Sequence, residues 1–140
     1  MSDTSSGIIH GGKSRIAGYL MSGLAVAFMI FDGGIKLVPL QAVTDSMRQY
    51  GFPTGDGFAR GLGALLLICT VLYVYRRTAV LGAILLTAYL GGAVVTQLRA
   101  GAPIFSHLLF GVYLGVFVWG GLYLRDGRIR ALIPFDAADR

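Results

Sequence analysis

The sequence predicts an all-α membrane protein: four transmembrane helices in an antiparallel bundle, with a short amphipathic helix between the first two spans. Three observations lead there. The 140-residue chain is 55% hydrophobic and only 14% charged, against about 25% charged in ordinary soluble domains. So much apolar surface has no room inside one small core, because small domains keep a large share of their surface exposed. Long apolar stretches alternate with polar or basic boundaries. Glycines recur inside those stretches, where a missing side chain lets a neighbouring helix come close.

Residues 1–14 are polar and rich in Ser and Gly, the composition of a disordered tail with His10 solvated in it. A single membrane domain is expected over 15–134, followed by a C-terminal tail, 135–140. Lys13 and Arg15 introduce the first span, 16–35. A secretory signal has the same basic-then-apolar order, but this run is long for one and no small-residue cleavage site follows it. Asp32 and Lys36 share a helix face near the end of the span, a spacing suited to a snorkelling interfacial ion pair.

Pro39 suits the first turn of the next helix, and Gly51 followed by Pro53 stops it. Between them Leu40, Val43, Met47 and Tyr50 recur at helical spacing, with Gln41, Asp45, Arg48 and Gln49 elsewhere. Such a helix lies on the membrane surface or caps the bundle. The second span, 58–75, has Arg60 at its start and stops at Arg76 and Arg77. The third, 79–98, ends on Arg99 and a turn through Gly101 and Pro103. The fourth, 104–124, is followed by Arg125, Arg128 and Arg130. Short connections after the second and third spans demand antiparallel neighbours. The expected helix-packing glycines are Gly57, Gly61, Gly91, Gly92, Gly111 and Gly115.

The net charge is +5, with a pI of about 9.7 and a mean hydropathy of +0.69. The basic residues flank apolar runs and form no aromatic-interleaved patch, which argues against nucleic acid as a partner. They read as topology signals instead. Lys13, Arg15, Arg76, Arg77, Arg125, Arg128 and Arg130 collect on one side, against Lys36, Arg48, Arg60 and Arg99 on the other. That bias places both termini in the cytoplasm. Tyr19, Tyr73, Tyr75, Trp119 and Tyr123 fall near the same boundary, as an aromatic belt would.

Antiparallel threading then brings Asp32, Lys36, Arg60, Thr96, Gln97, Arg99 and His107 to the outer end of the bundle, beneath the amphipathic helix. Ionisable groups at membrane depth are costly and mark candidate sites. This polar pocket would suit a polar head group, a quinone ring or a small anion. The competing account is structural, with Asp32 paired to Arg60 or Arg99. The hydroxyls of Thr87 and Tyr89 lie nearer the membrane middle, where helix backbone or each other would satisfy them.

Chemistry beyond binding finds little support. The chain has no Glu and no Asn, and its single cysteine, Cys69, sits in an apolar run as a small buried residue. With two histidines, one of them in the tail, a metal site is not expected. No G-x-S-x-G, Walker loop or H-E-x-x-H is present.

The chain resembles the DoxX-like family of small bacterial membrane proteins over about residues 15–134. Carrying residues are Phe31-Asp-Gly-Gly-Ile-Lys-Leu37, Tyr50-Gly-Phe-Pro53, and Arg76-Arg77 before Leu81-Gly-Ala-Ile-Leu-Leu-Thr-Ala-Tyr-Leu-Gly-Gly-Ala93. Gln97-Leu-Arg99 and Leu124-Arg-Asp-Gly-Arg-Ile-Arg130 complete the match. The resemblance implies a four-helix bundle in the bacterial cytoplasmic membrane. It also implies an association with thiosulfate:quinone oxidoreductase. Relatives commonly carry an acidic residue where this chain has Gly61-Leu-Gly63, and often a His in place of Gln97. Those departures count against proton- or electron-coupled work. The expected role is a non-catalytic accessory or assembly subunit of a membrane complex, with other membrane or redox proteins as partners. The alternatives are a quinone-linked oxidoreductase subunit, with quinone as cofactor, and a small-molecule binder or carrier using the outer pocket.

Overall fold

The structure, a computed structural model, describes residues 4–38, 40–53 and 56–133. Pro39 and the tail 135–140 lie outside the described residues, as do the side chains of residues 4–11, 56, 107 and 108. The helices are α1 (Thr4–Leu37), α2 (Gln41–Gln49), α3 (Asp56–Val74), α4 (Ala79–Arg99), α5 (Leu109–Arg125) and α6 (Gly127–Leu132). A π-helical turn, Ile104–Leu108, leads into α5. The apolar lengths able to cross a membrane are Gly12–Leu37, Gly57–Val74, Ala79–Arg99 and Ile104–Arg125.

Helix α1 has 34 residues, so its length of about 50 Å exceeds the ~30 Å hydrocarbon core. It reaches back to Thr4, into the stretch whose composition suggested a disordered tail. Once a long apolar helix exists, each added residue gains a backbone hydrogen bond without a new nucleation cost, and no proline interrupts it.

The four long helices form a square. α1 and α4 stand at opposite corners, and each packs on both α3 and α5. Close contacts set the register of every side. On the α1–α5 side Gly18 lies against Leu124, Gly121 against Ser22, and Phe28 meets the Phe110 ring edge-on at 4.7 Å. Gly33 and Gly63 bring α1 and α3 together. Gly82 of α4 lies directly on the backbone of Tyr73, and Gly111 of α5 on Val94. All four sides are therefore antiparallel.

Each span turns one stripe inward. In α3 it is Ala59, Gly63, Leu66, Cys69, Thr70 and Tyr73, and in α4 Ala79, Ala83, Leu86 and Leu90. Ile68, Val71, Leu81, Val95 and Val116 point outward and are exposed. A helix satisfies its own backbone, so only such side chains need meet lipid.

Two sets of side-chain hydrogen bonds link the spans. The Ser22 hydroxyl donates to Tyr73 Oη at 2.8 Å, and the Tyr73 hydroxyl donates to the Val118 carbonyl at 2.8 Å. Trp119 Nε1 donates to Thr87 Oγ1, which donates to the Ala83 carbonyl, each at 2.7 Å. Thr87 thus bonds to helix backbone as its position suggested. Tyr73 is not a belt residue: it is fully buried, whereas Tyr19 and Tyr75 are each 58% exposed.

Of the glycines expected to seat a neighbouring helix, only Gly111 does so within the described chain. A Cβ at Gly57, Gly61, Gly91, Gly92 or Gly115 would meet nothing within 4 Å. Four-residue spacing puts two glycines on one face but does not say which face. In α3 the inward glycine is Gly63, so Gly57 and Gly61 turn away from it.

Candidate functional site

Helix α2 is amphipathic, with Met47 buried. It ends as glycine chemistry requires. Gly51 takes φ +74°, its N–H donates to the Arg48 carbonyl at 3.1 Å, and the Phe52 N–H donates to the Met47 carbonyl at 2.9 Å. That double bond pattern around a left-handed residue is a Schellman motif. It turns the chain sharply, so Phe52 comes back over the start of α3, 5.1 Å from the Phe58 ring. Gly101, at φ +69°, closes α4 in the same way.

Beneath α2 the spans part around a cavity of about 520 Å³. That volume is typical of small-molecule sites. Every span contributes to it. α1 supplies Phe28, Asp32 and Lys36, one helical turn apart, and α2 covers them with Met47 and Tyr50. α4 supplies Tyr89, Gly92, Ala93, Thr96 and Gln97, and Phe110 and Leu114 complete the wall from α5. The cavity is thus mostly aromatic and aliphatic, with polar groups at the α2 end.

Those polar groups differ in their satisfaction. Lys36 Nζ donates to Asp32 Oδ2 as an ion pair, with both side chains partly buried. Thr96 Oγ1 donates to the Gly92 carbonyl of its own helix at 2.8 Å. Gln97 Oε1 is buried and has no partner among the described residues. A buried acceptor left unpaired costs about 1–3 kcal/mol. It is the one buried side-chain atom on this wall without a partner among the described residues.

The expected polar group is only partly assembled. Asp32, Lys36, Thr96 and Gln97 line the cavity. Arg60 does not: it is exposed, beside Ala59 on a small cleft that α2 covers with Val43 and Thr44. The inward stripe of α3 passes through Ala59 and Gly63 and leaves Arg60 outside. Arg99 is likewise exposed at the end of α4, off the stripe that carries Gln97. Asp32 therefore pairs with Lys36 on its own helix, not with Arg60 or Arg99. The side chain of His107 lies outside the described residues.

Several lining residues were not anticipated as site residues. Phe28 stands one turn before Asp32, and Tyr89 lies two turns before Gln97 and one before Ala93. That helical spacing is visible in the sequence once Asp32 and Gln97 are known to face inward. Phe52 and Phe110 arrive through chain reversals whose direction the sequence does not state.

A family model described as the DoxX-like family matches residues 20–121. The chain belongs to the DoxX-like family. No curated protein matches the chain, and no solved structure does. The family match takes in all the lining residues of the cavity beneath α2. It stops short of Arg125, Asp126 and α6, the C-terminal part of the basic end of this DoxX-like chain.

The basic end is built differently. Arg125 Nη2 donates to the Tyr73 carbonyl at 3.3 Å, and its guanidinium lies 4.9 Å from the centre of the Tyr73 ring. Asp126 caps α6 by accepting from the Arg128 N–H at 3.0 Å, and it pairs with the Arg128 side chain. The Arg128 hydrogen bonds hold the Asp126 carboxyl below the usual carboxylate range. α6 was not anticipated, although Asp126 before a short run of non-breaking residues is an N-terminal helix signal.

Proposed function

We propose that this small integral membrane protein binds a ring-bearing, amphipathic small molecule in the cavity beneath α2. The observation that carries this is the cavity of about 520 Å³ itself, walled by Phe28, Tyr89 and Phe110 and bordered at its α2 end by the Asp32–Lys36 pair. An apolar pocket with a few converging polar groups is the usual form of a ligand site. A ligand hydroxyl would donate to Asp32, and a ligand carbonyl would accept from Lys36 or Tyr89. The rings of Phe28, Tyr89 and Phe110 would hold its flat face.

A quinone or quinol fits this donor and acceptor set, and it is the first ligand to test. Bound there, a quinone would supply electron and proton exchange with a partner protein. The residues of this chain would bind and orient it. The test is equilibrium binding of a short-chain benzoquinone to the purified protein in lipid nanodiscs. Saturable binding by the wild type, lost in Gly92→Leu, is expected. No saturable binding, or full binding by Gly92→Leu, would sink the idea. Gly92 suits this test because a side chain there enters the cavity without meeting another atom within 4 Å at its Cβ.

A second role is supported by Gly57 and Gly61, which face open space on the exposed side of α3. Small residues on an outward face let a partner helix approach closely. An accessory subunit of a larger membrane complex would use such a face. Gly61→Leu should then release a co-purifying partner without loosening the bundle. The bias of basic residues supports both termini in the cytoplasm of a bacterium. Labelling of single cysteines at residues 13 and 48 from each side of the membrane tests that orientation.

A further inference from the structure

We infer that the basic end of the bundle holds one anionic phospholipid, with its head group at Arg76 and Arg125 and an acyl chain between α1 and α3. Two adjoining cavities carry this. The first, about 360 Å³, lies among α1, the end of α3 and the end of α5, and includes Ser22, Tyr73, Arg76 and Arg125. The second, about 750 Å³, is a groove between α1 and α3 running from Ile30 and Leu67 to Arg76 and Arg77. Val26, Val74 and Arg76 line both, so the two adjoin.

The combined space is apolar along its length and basic at one end. From Leu67 to Val74 the groove follows α3 for about 10 Å, from the helical rise of 1.5 Å per residue. It is walled by outward-facing Ile30, Val71 and Val74, which are exposed in the chain alone. That shape matches the upper half of an acyl chain beneath its phosphate.

The charges select the head group. Arg76 makes no side-chain hydrogen bond among the described residues. Arg125 donates through one Nη to Tyr73, and its Nε is buried without a partner. The one carboxylate on this cavity, Asp126, is already paired with Arg128. A choline or ethanolamine would therefore face Arg76 and Arg77 with no free carboxylate to receive it. A glycerol head group carries no such cation. Basic pockets between spans recognise lipid phosphates in this way.

Native mass spectrometry of the purified full chain tests this, with phosphatidylglycerol or phosphatidylcholine added separately. One phosphatidylglycerol should be retained in preference to phosphatidylcholine. Arg76→Gln should weaken that retention about fivefold, the effect of one basic residue near an anionic surface. Its side chain is exposed and makes no hydrogen bond among the described residues, so the variant should fold normally. Val71→Trp should fill the groove and expel the lipid while leaving both arginines in place. Arg48→Gln, on α2, should change nothing. Equal retention of the two lipids, or unchanged retention in Arg76→Gln, would overturn the proposal. So would displacement of the lipid by glycerol phosphate alone, because the chain groove would then be idle. Retention of a protein in place of lipid would assign the groove to a partner helix and overturn it too.

Discussion

Ser22 and Tyr73 join the first and second spans by a hydrogen bond of 2.8 Å in a fully buried position. The Tyr73 hydroxyl also reaches the Val118 carbonyl, so one side chain ties α1, α3 and α5 together. Both bonds lie where no water competes. Tyr73→Phe removes the shared hydroxyl and leaves Ser22 to rebond within its own helix. We expect a loss of about 1–2 kcal/mol, since hydrogen bonds between membrane helices average about 0.6 kcal/mol each and reach about 1.7. Thermal unfolding in detergent reads this, and an unchanged midpoint would show that the three-helix tie contributes nothing.

Gly82 and Gly91 make a matched pair on α4. A Cβ at Gly82 would collide with the Tyr73 backbone nitrogen, whereas one at Gly91 would meet nothing within 4 Å. Backbone cannot move aside as a side-chain tip can. Gly82→Ala should therefore cost about 1–3 kcal/mol, and Gly91→Ala should be neutral or slightly stabilising, because alanine is the better helix former. Parallel melting curves of the two variants decide it. Equal behaviour would place the α3–α4 contact elsewhere.

The Asp32–Lys36 pair borders the cavity, so removing either partner alone strands a charge. Because both side chains keep some exposure, the penalty should fall below the 3–5 kcal/mol of a fully buried pair, at about 1–2 kcal/mol. Asp32→Asn should show it, and the exchange of the two residues in one double variant should restore most of the stability. A double variant no better than Asp32→Asn would mean that position, not pairing, matters.

Arg60→Ala should leave stability within about 0.5 kcal/mol of the wild type, as surface substitutions usually do. A clear loss would show that Arg60 has a partner in the membrane, supplied from outside the chain.

Acid should loosen α6 specifically. The folded Asp126 carboxyl is held below its usual value, first by the Arg128 side-chain hydrogen bond and then by the Arg128 N–H. In the unfolded segment it titrates at about 3.9. Its contribution is thus complete above that pH and fades as pH falls through the lower, folded value. Protection of the α6 amides, with exchange corrected for its intrinsic pH dependence, should fall from pH 5 downward in the wild type. Asp126→Asn retains a cap but cannot titrate, and should lose that dependence. Asp126→Ala should weaken the helix end at every pH, by about 1 kcal/mol.

The spans were legible because membrane helices declare themselves by length and composition. The segments expected at 58–75, 79–98 and 104–124 reappear as Gly57–Val74, Ala79–Arg99 and Ile104–Arg125. The facing of residues around each axis was less legible. Nearly every position in an apolar span is hydrophobic, so the periodicity that orients a soluble helix is weak. Arg60 and Arg99 were drawn into the polar cluster on depth alone, and depth does not specify azimuth. The same ambiguity left the face of each glycine open: Gly57, Gly61, Gly91, Gly92 and Gly115 turn to open space, while Gly18, Gly33 and Gly82 carry close contacts. Gln97 was identifiable because polar side chains within a span must find a partner or a cavity.

The side of the square that joins α1 to α5 imposes an order on biosynthesis. Gly18, Ser22 and Phe28 meet residues that the ribosome delivers last, at Phe110, Gly121 and Leu124. Until then one flank of the first helix has no native neighbour, although it already sits in the bilayer. Lipid must cover Gly18 and Phe28 during that interval, whereas Ser22 has Tyr73 of the second span. Assembly of this bundle is therefore completed after translation of its last span, however early its first helix is inserted.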